Sequence, residues 1–265
     1  VGGIVAAPPA VAGGTVFAVV RDDRLGLALV RAFHADTGER AWSFSPASRA
    51  GLASAPTVAG GSLVVGFADR TIRAFDAGTG RLLWGARTNG LLSPVTAPAV
   101  VGDDVVVADL EGQVYRLDGA DGTREWDHAL NDRVIRSAPV VVGGTVLLGL
   151  NDGRLVALDA ATGDLRWQSQ PSPGLVGGLA VGPEVVVAVK GGRGGGLVGF
   201  RHDPRGSLVR LPSPTRLDLD RQLAAALGAV LAVGAAILLA GRWAAGRLGP
   251  PAIEEEPVPS GKDEP

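Results

Sequence analysis

Residues 1–211 run as short apolar stretches rich in Val, Leu and Ile, cut by brief breaks of Gly, Asn and Asp. Stretches this short, bounded by turn residues, predict β-strands joined by tight hairpins. Residues 46–87 show the plan, with strands expected at Ala55–Val58, Ser62–Phe67, Thr71–Asp76 and Arg81–Ala86. Their connections are Gly60-Gly61, Ala68-Asp69-Arg70 and the turn that follows Asp76.

The plan returns four times in register. Trp42, Trp84, Trp126 and Trp167 stand 42, 42 and 41 residues apart. Each closes a similar phrase: A-F-H-A-D-T-G-E-R-A-W from Ala32, A-F-D-A-G-T-G-R-L-L-W from Ala74, R-L-D-G-A-D-G-T-R-E-W from Arg116 and A-L-D-A-A-T-G-D-L-R-W from Ala157. Upstream lie Pro9, Pro56, Pro98 and Pro139, each leading a strand into a Gly turn. Their spacings of 47, 42 and 41 place about five extra residues in the first copy, within Arg21–Leu29. In the closing turn the carboxylates of Asp76, Asp118 and Asp159 can accept backbone N–H groups, as Asx turns do. Gly38, Gly80, Gly122 and Gly163 supply the positive φ where the chain re-enters a strand. Four strands per ~42 residues match one blade of a β-propeller.

The phrase A-x-D-x-x-T-G-x-x-x-W resembles the tryptophan motif of the PQQ-like, or quinoprotein-type, β-propeller repeats. The second and fourth copies match at every marked position; the first has His34 for Asp, and the third has Arg116 for Ala and Asp121 for Thr. The resemblance implies that Trp42, Trp84, Trp126 and Trp167 pack between adjacent blades. A sheet with two apolar faces gives the same expectation, since a flat ring in each repeat fills the gap to the next. A fifth, degenerate unit follows, with Glu184–Val189, Leu197–Phe200 and Leu208–Leu211 in the same order but no closing Trp. The expected blades are therefore about 1–45, 46–87, 88–129, 130–170 and 171–211. Propellers of this family usually have seven or eight blades, which implies that the five visible ones belong to a larger ring. A short, open or five-bladed ring is the alternative. The chain has no Met and begins at Val1, which reads as a fragment or a trimmed product.

Beyond the repeats the pattern changes. Residues 212–222 read as a linker, and Leu223–Gly241 forms 19 uncharged residues dominated by Ala and Leu. As a helix this run spans about 28 Å, close to the ~30 Å hydrocarbon core, and its Leu, Val and Ile supply roughly −2 to −5 kcal/mol towards insertion. It predicts one C-terminal transmembrane α-helix. Small residues every four positions from Ala224 to Ala240 would permit weak homodimerisation. Residues 242–265 form a short acidic, Pro-rich tail without the means to build a core. Arginines flank the span on both sides, so charge leaves its orientation open. The resemblance to periplasmic and surface propellers points to a propeller outside and a tail inside the cell membrane.

Composition narrows the chemistry. Balanced charge, 25 Lys+Arg against 27 Asp+Glu, argues against nucleic-acid binding. The lack of Cys excludes disulfides, Cys-ligated metals and thiol nucleophiles. His34, His128 and His202 fall in or just beyond turns of separate repeats, and Gly191–Gly196 lacks the Lys-Ser/Thr of a phosphate loop. The acidic residues Asp69, Asp103, Asp104, Glu111 and Asp152 are accounted for by turns. The expected reading is a noncatalytic interaction or assembly scaffold of the BamB-like branch, with an unidentified protein partner and no cofactor or metal. The alternatives are a PQQ-dependent oxidoreductase or its remnant, which would need PQQ and calcium, and the sensor domain of a larger signalling protein.

Overall fold

The computed structural model describes residues 4–22, 26–46, 53–89, 96–131, 134–135, 137–169, 176–182, 185–190, 196–202 and 208–210. These residues are all-β and form five antiparallel sheets, each strand after the first pairing with its neighbour in sequence. The first contains β1 (Ile4–Val5), β2 (Ala10–Ala12), β3 (Thr15–Asp22), β4 (Leu27–His34) and β5 (Arg40–Phe44). The second contains β6 (Thr57–Ala59), β7 (Ser62–Gly66), β8 (Thr71–Asp76) and β9 (Leu82–Arg87). The third contains β10 (Ala99–Val101), β11 (Asp104–Ala108), β12 (Gln113–Leu117) and β13 (Arg124–Ala129). The fourth contains β14 (Val140–Val142), β15 (Thr145–Gly149), β16 (Leu155–Asp159) and β17 (Leu165–Gln168). The fifth contains β18 (Val176–Val181), β19 (Val185–Lys190), β20 (Gly196–His202) and β21 (Leu208–Arg210).

The first sheet departs from the others in two ways. β1 and β2 both pair with β3, at Val20–Arg21 and Thr15–Phe17 respectively, as one inner strand broken at Pro8-Pro9. Neither proline has an N–H to give the ladder. β3 and β4 are eight residues long where their counterparts in the next three sheets have five or six, so the extra residues lengthen this hairpin. The second sheet begins at Thr57, two residues later than its sequence suggests. Pro56 lacks a donor, and the chain ahead of it is held differently: Ser54 N–H donates to the Gly66 carbonyl at 2.7 Å, and Ser54 Oγ accepts Gly66 N–H at 3.0 Å.

The first strands of successive sheets, β2, β6, β10, β14 and β18, are neighbours in turn, while the last strands lie at the opposite edge. This is the radial layout of propeller blades. Strand alternation then serves two interfaces at once. On β7, Leu63 and Val65 pack against Phe17, Val19 and Val30 of the first sheet, while Val64 turns towards Val105, Val107 and Tyr115 of the third. On β15, Val146 and Leu148 face Val106 and Val114 of the third sheet, and Leu147 faces Val176 and Val186 of the fifth. Both faces of a middle sheet are core.

The first four sheets carry a register shift at one equivalent place, after Ala32, Ala74, Arg116 and Ala157. Each of these residues pairs with the Trp ten positions on. A bulge there increases the local twist and sets the angle of the turn that follows. In the fifth sheet Phe200 pairs with Arg210, and the last strand, Leu208–Arg210, holds no Trp. Among the described residues no helix is long and apolar enough to cross a membrane. The expected span Leu223–Gly241, its linker and the tail lie outside the described residues.

Leu148→Ala or Leu63→Ala, each removing a fully buried side chain between sheets, should cost about 2–5 kcal/mol in urea unfolding. Val11→Ala, at a side chain 67% exposed, should stay within about 0.5 kcal/mol.

Candidate functional site

The recurring tryptophans meet recurring turns. Trp42 Nε1–H donates to the Ala77 carbonyl at 2.9 Å, Trp84 to Gly119 at 2.9 Å and Trp126 to Ala160 at 3.1 Å. In every case the acceptor follows the Asp position of the next sheet's closing turn. The ring lies flat on that turn's glycine. A Cβ on Gly80 or Gly122 would stand 2.5 Å from the indole of Trp42 or Trp84, and one on Gly163 would stand 2.7 Å from Trp126. The same glycines have φ of 72°, 76° and 78°. Glycine is therefore needed twice, for the left-handed backbone and for the ring's close approach.

The turn is built to hold its shape. Asp76 Oδ1 accepts Thr79 N–H and Thr79 O–H, both at 2.8 Å. Asp118 Oδ1 accepts the N–H groups of Ala120 and Asp121, and Asp159 Oδ1 those of Ala161 and Thr162. Thr79's hydroxyl and amide hold the Asp76 carboxyl below the ordinary range, and Thr123 does the same for Asp121. Asp159 is lowered first by Arg166, whose Nη2 lies 2.7 Å from Oδ2, and then by its turn amides. In the first sheet His34 takes the Asp place; Gly38 keeps φ at 73°, and its N–H donates to the His34 carbonyl at 2.8 Å.

The third repeat's departure from the motif has a use. Arg116 donates through Nη1 to the Ala160 carbonyl at 2.8 Å, the acceptor that Trp126 also uses. Its Nη2 lies 2.6 Å from Asp104 and its Nε 2.8 Å from Glu125. Asp104, Asp118 and Glu125 bring carboxylate oxygens within 4.8 Å of one another, and Arg116 supplies positive charge among them. Trp167 packs with Leu179 and Val181 of the fifth sheet, but its Nε1 is buried without a hydrogen-bond partner.

On the opposite side of the sheets, the turn between second and third strands holds Asp69 and Asp109. Burial pushes the Asp69 carboxyl up, but bonds from Thr71 and the charge of Arg73 outweigh it and leave it lowered. Asp109 is fully buried; it accepts the N–H groups of Glu111 and Gln113 and the Tyr115 hydroxyl, yet burial keeps its carboxyl raised. Burial also pushes the Tyr115 phenol up to about 12. The histidines do not converge: His34 ends β4, while His128 lies within β13, paired with Val114, rather than at a turn. His202 ends β20. Most of the Gly191–Gly196 run lies outside the described residues.

Two sets of residues escaped sequence reasoning. Ser54, Thr96 and Ser137 precede Pro56, Pro98 and Pro139 by two positions and fasten the approach to each sheet; Ser137 Oγ accepts Gly149 N–H at 2.8 Å, and Thr96 donates to the Ala108 carbonyl at 2.9 Å. The signal was the thrice-repeated Ser/Thr-Ala-Pro. Arg116 was visible only as a mismatch.

The family described as outer membrane protein assembly factor BamB matches residues 1–68 and 26–176. The chain belongs to this family of PQQ-like β-propellers. BamB from Moraxella catarrhalis is similar in structure, with a TM-score of 0.62 and 21% identity over 78% of this chain and 65% of that one. The computationally designed Ika8 protein gives 0.62 and 22%, covering 76% and 59%. Quinohemoprotein alcohol dehydrogenase ADHIIG from Pseudomonas putida HK5 gives 0.59 and 18%, covering 77% and 41%. The chain thus spans less than two thirds of each of these propellers, and the likeness is one of fold. No curated protein matches the sequence.

Gly80→Ala and Gly61→Ala should separate the two demands on glycine in thermal unfolding. Both residues have positive φ, but only Gly80 lies under an indole, so Gly80→Ala should lose clearly more stability. Trp84→Ala should cost about 3–5 kcal/mol. Acid should also weaken the blades. Asp76, Asp121 and Asp159 have lowered folded values, so their contribution is present above the ordinary carboxylate range and is lost as pH falls through those lowered values. Asp109 acts in the opposite sense. Melting temperatures from pH 7 to pH 3 should fall less for Asp76→Asn than for the parent.

Proposed function

We propose that this propeller is a noncatalytic platform for protein assembly, held at a membrane by Leu223–Gly241 with its blades outside the cytoplasm. One observation carries the reading: the motif shared with the quinoproteins is occupied in joining blades. The indoles of Trp42, Trp84 and Trp126, and the glycines and carbonyls of the turns that receive them, are committed to one another. The acidic turn residues are committed to backbone amides and arginines. A rigid stack of blades held this way presents loops and edges as contact surface without further chemistry. The family match supports an assembly role, and the uncharged segment supports anchoring.

A tagged full chain, extracted in detergent, should recover a stoichiometric protein partner, and residues 1–211 should recover the same one. Repeated isolation of the bare chain would defeat the proposal. The full chain should resist carbonate extraction from membranes while residues 1–211 are released. A rise in melting temperature or dye reduction on adding PQQ with calcium would favour the oxidoreductase instead.

A further inference from the structure

Phe67, Asp109 and Leu150 occupy one place in three successive sheets. Each follows its sheet's second strand, donates its N–H to the carbonyl four residues on, and accepts the N–H of the residue three on. All three are fully buried. Phe67 packs against the first sheet and Leu150 against the third, so each faces the sheet before its own. By alternation from Val105 and Val107, which pack on the second sheet, Asp109 faces that sheet. Two seams between sheets thus receive an apolar side chain at this place, and the seam between second and third sheets receives a carboxyl.

The neighbouring position is exchanged as well. Tyr115 stands three residues before Asp118, where the second and fourth sheets have Arg73 and Val156. Its hydroxyl donates to Asp109 Oδ2 at 3.3 Å and accepts the N–H of Asn89, just past the last strand of the second sheet, at 3.0 Å. Arg124 stacks over the Tyr115 ring, 4.7 Å from its centroid, and donates to the Arg87 carbonyl and to Asn89 Oδ1. Asp109 is therefore the inner end of a chain of bonds that crosses the seam.

Charged groups surround it from both sides. On its own sheet are Glu111, Tyr115, Arg124 and Asp127, and Arg124 pairs with Asp127. Burial first, and then the charge of Glu111, raise the Asp109 carboxyl against the pull of its three donors. At the near end of the second sheet stand Arg70 and Arg87, which give main-chain carbonyls to Thr88 and Arg124. Asp69 and Arg73 belong to that sheet's other face, where Arg73 stacks on Phe67. His128 pairs with Val114 and so faces the fourth sheet. Residues 90–95, which lead from second to third sheet, contain no ionisable side chain. Opening the seam hydrates the carboxyl and closing it removes that water, so a proton on Asp109 favours the closed form and its loss the open one.

We propose that the seam between the second and third sheets is a proton-operated latch. With Asp109 neutral the seam stays closed. With Asp109 ionised it opens locally and admits water, while the seams that receive Phe67 and Leu150 do not respond. The latch depends on neither the assembly role nor the membrane span.

Hydrogen exchange of the full chain, read amide by amide and divided by the intrinsic rate at each pH, tests this. The reporters are Asn89, Glu111 and Gln113, whose N–H groups donate to Tyr115 or Asp109; Phe67, Arg70, Leu150 and Gly153 are the references. Between about pH 3.5 and about pH 7, protection of the reporters should fall about tenfold relative to the references. Asp109→Leu, which copies the fourth sheet, should abolish that fall. Tyr115→Phe keeps the ring but removes a donor to the ionised carboxyl, so it should enlarge the fall and carry it to higher pH. A ratio that stays level in the parent would overturn the latch, as would a fall that persists in Asp109→Leu or is unchanged in Tyr115→Phe.

Discussion

A four-stranded sheet with two apolar faces cannot stand in water alone, and the arrangement of the described sheets follows from that. Alternate residues of β7, β11 and β15 point to opposite neighbours, so each middle blade completes its core only between two others. Burying one Val or Leu contributes about 1.5–3 kcal/mol, enough in sum to hold the stack together. Apolar packing has no preferred direction, however, and cannot by itself fix how one blade sits on the next. The indole supplies the direction. Its ring demands a glycine beneath it and its N–H demands one carbonyl, so blade position is set by a flat contact and a hydrogen bond together.

The charged groups reinforce this arrangement locally. Aspartates of the closing turns lie near the surface and each accept two donors of their own turn, which keeps the acceptor carbonyl beside them correctly aimed. Arg116 extends the same principle across an interface: it shares the Ala160 carbonyl with Trp126 while Asp104 and Glu125 balance its charge. A partly buried guanidinium is tolerable only with such partners, since desolvation would otherwise outweigh the attraction. Trp167 shows the contrast, with its buried Nε1 lacking any acceptor.

Much of this was legible in the sequence. The period, the four strands per repeat, the Asp turns and the positive-φ glycines each depend on local chemistry that a sequence displays. The destination of each indole was not legible. Trp42 and Ala77 lie 35 residues apart, and their meeting depends on the twist between blades and on a bulge at Ala32 that no residue type announces. Nor did Ser54 and Ser137 stand out, because a serine before an Ala-Pro pair has no evident purpose until Gly66 and Gly149 arrive opposite it. His128 looked like a turn residue because spacing alone does not reveal that β13 runs on to Ala129.

The motif that carries the family resemblance therefore speaks for architecture rather than chemistry. Oxidoreductases and assembly factors can share it because both need blades to stay in step, and the residues that serve this need are turned towards other blades. Whatever separates the two kinds of protein must lie in residues the motif leaves free: the turns between second and third strands, where Asp69 and Asp109 sit, and the long connections between blades. Variation there leaves the docking intact. A propeller can change its partner without changing how it is held together.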